Sequence, residues 1–146
     1  MGAGELRVRR LHPDARLPVR AHDDDAGLDL CALEAATLPP GERGTVRTGI
    51  AIELAPGHAG LVLPRSGLAA RHGIAIVNAP GLIDAGYRGE LKVLLLNTDR
   101  AQPFEIAPGD RIAQLVIVAV ATPLIVETEA LAATLRGEGG FGSSGV

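Results

Sequence analysis

The sequence predicts an all-β domain, a sandwich or barrel of short antiparallel strands, on three observations. Nineteen Gly and ten Pro in a chain of 146 residues impose many turns and leave little room for long helices. Pro-Gly pairs recur at Pro40-Gly41, Pro56-Gly57, Pro80-Gly81 and Pro108-Gly109, where Pro presets φ and Gly accepts a positive one. The segments between are rich in β-branched residues and Leu, the composition that packs well on a pleated surface. A chain of this length makes one domain with one core.

Taken in order, Thr45 to Leu54, Gly60 to Leu63, Ile74 to Val77, Glu90 to Leu96 and Arg111 to Ala121 read as strands, and the first, second and fourth Pro-Gly pairs are flanked by strand-like segments. Helical periodicity is weak. Ser66 to His72 fits one or two turns, and Thr128 to Leu135 is rich enough in Ala and Leu for a short helix, although either stretch also reads as loop. Leu115 to Ala121 is apolar on both faces of any strand it forms, so a neighbouring subunit is expected to cover one of them. With no Trp, one Tyr and two Phe, the core must be built from Leu, Ile, Val and Ala, and Tyr87, Phe104 and Phe141 each need an explanation. The expected organisation is one β domain over residues 1–135, followed by a flexible Gly-rich tail over 136–146.

Composition also excludes functions. A net charge of −3 lacks the basic footprint of a general nucleic-acid binder, while a small anionic ligand needs only a local Arg cluster. A single cysteine, Cys31, rules out an internal disulfide and a four-cysteine zinc site, fits a reducing compartment, and reads as a small buried hydrophobe. The charged start, Met1 to Arg7, lacks the apolar run of a signal peptide, and Leu6 replaces the Ser/Thr of a myristoylation pattern. The longest apolar stretch, Leu115 to Val126, is interrupted by Thr122-Pro123 and falls short of the roughly 20 residues of a membrane span. A soluble cytoplasmic protein with no membrane partner is the expectation.

Several residue groups are fit for chemistry. Arg65, Arg111 and Arg136 stand in short polar, Gly-containing contexts, and guanidinium is the side chain best matched to phosphate oxygens. Ser66 and Gly67 beside Arg65 complete an anion cradle. Asp84 and Asp29 are carboxylates able to activate water or to hold a metal through its water shell, and equally able to cap turns. Asp23-Asp24-Asp25 reads as a solvated loop, and His12, His22, His58 and His72 lack zinc-site spacing. The tail lacks the Lys-Ser/Thr of a Walker motif, yet Phe141 is too apolar for a purely solvating end and suits a lid stacking on a ligand.

Five stretches then stop being independent: Ala-Gly-Leu-Asp-Leu at 26–30, Pro-Arg-Ser-Gly-Leu-Ala at 64–69, Asn78 with Gly-Leu-Ile-Asp-Ala-Gly-Tyr-Arg-Gly-Glu at 81–90, Gly-Asp-Arg-Ile-Ala-Gln-Leu at 109–115, and Arg-Gly-Glu-Gly-Gly-Phe-Gly-Ser-Ser-Gly at 136–145. In this order they resemble the ordered motifs of the trimeric deoxyuridine triphosphate nucleotidohydrolase (dUTPase) family. The resemblance implies a distorted jelly-roll-like β-barrel, a homotrimer with active sites at subunit junctions, and hydrolysis of dUTP to dUMP and pyrophosphate with Mg²⁺. It implies Asp84 as general base, Tyr87 against the deoxyribose, and Asn78 with the Leu82-Ile83 backbone on the uracil edge. Arg65, Ser66 and Gly67 would hold phosphates with Gln114, and Lys92 would contact the nucleotide. Asp29 would bind waters of the magnesium shell, Arg136 would reach the γ-phosphate, and Phe141 with Gly142 and Ser143 would close over the substrate from a third subunit.

Two rivals bound this reading. dCTP deaminase resembles the same pattern, but the Glu that acts in deamination falls at Leu94 here, which leaves proton shuttling to the exocyclic amine without its agent. A non-catalytic jelly-roll scaffold has no use for Asp84, Tyr87 and a Gly-rich end carrying one Phe.

Overall fold

The computed structural model describes residues 4–145. Met1 to Ala3, which belong to the leader reading, and Val146 at the end of the tail lie outside the described residues. The chain forms β1 (Arg7–Arg10), β2 (Leu28–Cys31), β3 (Ala36–Leu38), β4 (Arg43–Arg47), β5 (Ile50–Glu53) and β6 (His58–Leu63), then one helix, α1 (Ser66–His72). β7 (Ile74–Ile76), β8 (Gly81–Ile83), β9 (Lys92–Asn97), β10 (Phe104–Ile106) and β11 (Arg111–Ala119) follow.

Every strand pairing is antiparallel. The sheets run β2-β11-β6-β8, β4-β9-β7, β1-β5 and β10-β3. The all-β expectation holds, in a jelly-roll-like wrap whose sheets stay open rather than closing into one hydrogen-bonded barrel. Among the described residues no helix is long and apolar enough to cross a membrane.

Alternation places the core. Val93, Leu95 and Asn97 of β9 face inward while Lys92 and Leu94 face out, and Leu28 and Leu30 of β2 are buried while Asp29 looks the other way. The buried apolar set is aliphatic throughout, as composition required, and its polar members are Thr48 and Asn97. Asn97 is satisfied: its Nδ2 donates to Leu38 O (3.0 Å) and Gln102 O (2.8 Å), and its Oδ1 accepts from Asp99 N–H (3.0 Å). Phe104 packs at the rim of the core, its ring 5.1 Å from that of His72.

The predicted strand Thr45 to Leu54 is two strands. The chain leaves the β4-β9 pairing and enters the β5-β1 pairing across Thr48-Gly49, where Gly49 has φ +70°. A Cβ there would come within 2.9 Å of Ala15 Cβ, so only glycine makes this change of sheet. Smaller corrections are of boundary: β7 stops at Ile76, β9 starts at Lys92 and β11 stops at Ala119. Gly41, Gly57 and Gly109 take positive φ as their Pro-Gly turns require, whereas Gly81 is the buried first residue of β8. Cys31 is half-buried rather than buried.

Thr128 to Leu135 forms no helix. Leu131 and Leu135 are fully open to solvent, and a short Ala/Leu helix with no face packed against a partner does not hold in water. Regular structure ends with β11, in which Leu115 is buried and Val116, Ile117 and Val118 are only half covered. Leu124, Ile125 and Val126 then run out exposed, and 136–145 is a chain of turns.

Candidate active site

Two clefts collect the residues singled out in the sequence, and they share no lining residue. The first, of about 300 Å³, is built on β8 and the loop that follows it. β8 is the outer strand of its sheet, paired only with β6, so the other edge of the Leu82-Ile83 backbone has no strand beside it. A flat heterocycle with its own donors and acceptors can pair with such an edge as another strand would. Asn78 borders the same cleft, and Leu82 stands 64% exposed over it.

A tight turn follows, closed by Tyr87 N–H donating to Asp84 O at 3.0 Å. It leaves Asp84 exposed in the lining of the cleft, together with Tyr87 and Lys92. The Tyr87 ring lies against Gly89, where any Cβ would run into the phenol. Arg88 braces this turn by donating from Nη1 to Ala85 O (2.7 Å) and Tyr87 O (3.1 Å). Leu94, where the deaminase rival needs a carboxylate, lines the cleft as an apolar residue. The cleft's second carboxylate, Glu90, is already engaged by Arg47 Nε (3.1 Å) and Gly49 N–H (2.9 Å).

The second cleft, of about 410 Å³, is lined by Gly27, Asp29, Arg65, Ser66, Gly67, Arg111 and Gln114, with Asp25 at its rim. Asp29 is its hub. Outward-facing on β2 and 14% exposed, its carboxylate meets Arg65 Nε at 3.4 Å and Arg111 Nη1 at 3.5 Å, one oxygen to each. Arg65 also donates to Arg111 O at 3.2 Å. The two guanidiniums are thereby fixed side by side with N–H groups to spare, which is a receptor for a multiply charged oxyanion. Gln114 is oriented by donating to Pro64 O (2.9 Å) and lies so close over Gly27 that a Cβ there would collide with it. Ser66 and Gly67 form the first turn of α1, whose N–H groups have no partner within the helix.

Cys31, beside this cleft, has its thiol pushed above the ordinary value, chiefly by burial, against the lowering influence of Arg16, Arg111 and Arg65. It is a neutral thiol at physiological pH, which agrees with its reading as a packing residue.

The sequence-predicted residues therefore divide. Asn78, Leu82, Ile83, Asp84, Tyr87 and Lys92 meet in the first cleft, and Asp29, Arg65, Ser66, Gly67 and Gln114 in the second. Arg136, Phe141, Gly142 and Ser143 border neither; Phe141 is fully exposed, and Arg136 Nε donates to Gly139 O within the tail (2.7 Å). Asp25 and Glu90 are additions from the structure. Asp25 came out of a run read as solvated, and its carboxylate accepts from His22 N–H at 2.9 Å.

Comparison with known proteins gives one answer. The family model described as dUTPase matches residues 14–145. A deoxyuridine 5′-triphosphate nucleotidohydrolase of Thermobifida fusca (strain YX) is 58% identical over 144 residues, covering 99% of this chain and 80% of that protein. One from Leifsonia xyli subsp. xyli is 60% identical over 130 residues, covering 89% and 86%. Among solved structures, a variant of the Staphylococcus bacteriophage 80alpha dUTPase with dUpNHpp superposes at a TM-score of 0.92, with 33% identity and coverage of 98% and 99%. A variant dUTPase from phage phi11 of S. aureus, whose structure describes coordination of a structural Mg(II) ion, superposes at 0.82 with 31% identity, covering 87% of this chain and 98% of that one.

Proposed function

The chain belongs to the dUTPase family, and on that premise we propose that it is a dUTP diphosphatase, hydrolysing dUTP to dUMP and pyrophosphate. The observation that carries the proposal is the pairing of chemistries: one cleft offers an unpaired strand edge with a single aromatic wall, the other two guanidiniums locked on one carboxylate. A nucleoside suits the first and a triphosphate the second.

In this reading Asp84 takes a proton from water as the water oxygen attacks the α-phosphorus, and the bond to the bridging oxygen of the leaving pyrophosphate breaks. Arg65 and Arg111, aligned by Asp29, neutralise charge on the phosphate oxygens, with the Ser66 and Gly67 N–H groups and Gln114 beside them. Tyr87 fills the space that a ribose 2′-hydroxyl would need, which rejects UTP by a clash. The donor set also fits Mg²⁺. Asp29, whose oxygens each hold one guanidinium, would meet the waters of the ion's shell rather than the ion itself. That suits an ion that keeps several waters and is held mainly by the substrate phosphates. When bound, magnesium supplies charge neutralisation on the phosphate oxygens.

The assembly proposed is a homotrimer in which one subunit's nucleoside cleft faces another's phosphate cleft and a third contributes its tail. Three features support it: the separation of the clefts within one chain, the half-covered outer half of β11, and the exposed Leu124, Ile125 and Val126. The tail over 136–146 then serves as a lid, bringing Arg136 to the γ-phosphate and Phe141, Gly142 and Ser143 over the base.

Product analysis on dUTP, UTP, dCTP and dTTP with Mg²⁺ tests the activity. Pyrophosphate and dUMP are expected from dUTP far faster than turnover of the other three. Ammonia from dCTP, or no turnover of dUTP, overturns the reading.

A further inference from the structure

Resting on the reading of Tyr87 as the ring that excludes a ribose, we propose that Glu90 is a positioning residue that fixes where Tyr87 stands and thereby sets the preference for 2′-deoxynucleotides. Tyr87 is 46% exposed, with its ring lying against Gly89. Its anchor is polar: the phenol O–H donates to the backbone carbonyl of Glu90 at 3.0 Å.

A tether is only as firm as its far end, and the far end here is clamped. The Glu90 carboxylate is 12% exposed; Oε1 accepts from Arg47 Nε (3.1 Å) and Gly49 N–H (2.9 Å), and Oε2 lies 3.2 Å from the same Arg47 Nε. The next residue is gripped from the same side. Leu91 N–H donates to Ile50 O (2.8 Å), and Leu91 O accepts from Thr48 Oγ1 (2.6 Å) and Thr48 N–H (3.3 Å). The junction of β4 and β5, forced by Gly49 to change sheets, thus holds residues 90 and 91 through both side chain and backbone. Oε1 makes both short bonds, and what a carboxylate adds over an amide is the negative charge that holds the Arg47 guanidinium. Gln at this position would turn one oxygen into a donor group facing Arg47.

An ion pair that served only stability would show in the melting temperature. A positioning device must also show in Tyr87, and this chain allows that ring to be watched alone, because it has one Tyr and no Trp. The test uses the full chain with Glu90→Gln, Arg47→Met and Tyr87→Phe, measuring kcat/KM on dUTP and UTP. Tyrosine fluorescence anisotropy without nucleotide is added for the first two. Each variant is expected to lower the dUTP-over-UTP preference by about ten-fold, the size of one lost hydrogen bond, with kcat on dUTP falling less. Glu90→Gln and Arg47→Met should lower the anisotropy. Adding Glu90→Gln to Tyr87→Phe should cost little more, since the tether is already cut.

A folded Glu90→Gln protein with wild-type preference and anisotropy overturns the proposal. Should that variant not fold, Arg47→Met decides it on preference and anisotropy, and Tyr87→Phe, which removes the fluorophore, on preference alone; wild-type values there overturn the proposal equally. A wild-type protein that does not prefer dUTP to UTP would defeat the functional reading, while the nucleotide-free anisotropy would still report on the tether.

Discussion

Two carboxylates border the nucleoside cleft, and their surroundings divide the work between them. Asp84 is exposed at the start of a turn, whereas Glu90 is 12% exposed and committed to Arg47 and Gly49. A general base must be open to water, so Asp84 is the carboxylate able to take its proton. Asp84→Asn keeps size and shape, and dUTP binding by calorimetry should stay within a few-fold of wild type while single-turnover hydrolysis falls at least about 100-fold. Wild-type-like turnover would remove Asp84 from that role. At this scale the sequence singles out Asp84, Tyr87 and Arg65, where residue type and motif coincide, and the fold brings each to a cleft. The sequence was silent on Glu90 because what matters there is a partner far along the chain: Arg47 and Gly49 reach it only after the chain has changed sheets.

Each segment read as a strand contains at least one, with shifted ends, whereas β1, β2, β3, β8 and β10, only three or four residues long, carry too little pattern to be read from the sequence. Pro-Gly marks a turn wherever the glycine is free to take positive φ, as at Gly41, Gly57 and Gly109. Gly81 is instead drawn into β8, where its missing Cβ leaves room for Val62 Cβ, 3.3 Å from where it would stand. The break inside Thr45 to Leu54 was hidden because apolar residues continue through it: β4 and β5 bury side chains in the same core while pairing with different strands. Gly49 is therefore the hinge of both fold and site, and its contrast with Gly57 separates two costs. Gly57 has φ +77° with open space around it, so Gly57→Ala should cost about 1 kcal/mol for backbone strain alone. Gly49→Ala adds overlap with Ala15 and Leu33, and about 2–4 kcal/mol is expected. Urea denaturation of the two variants measures the difference, and equal midpoints would show that crowding at Gly49 is relieved at no cost.

At the scale of the whole molecule, the sequence assembled one site from five motifs, and a single chain divides it in two and leaves the tail outside both clefts. Motif order along the chain does not show that split, because it carries no information on which motifs meet in space; sites at subunit junctions are implied by the family resemblance alone. A core without Trp, a half-covered β11 and an exposed run at Leu124 to Val126 leave apolar surface open on the single chain. The proposed trimer makes a quantitative prediction from this. Asp84→Asn disables the nucleoside cleft and Arg65→Ala the phosphate cleft, so each homotrimer should be nearly inactive. When equal amounts are unfolded and refolded together, half of each kind of cleft is intact, and random pairing between different subunits should restore about a quarter of wild-type activity. A site contained within one chain would restore none, because every chain carries one lesion. Mixing without unfolding serves as the control, since subunits that do not exchange should stay inactive, and activity at background after co-refolding would rule out the shared site.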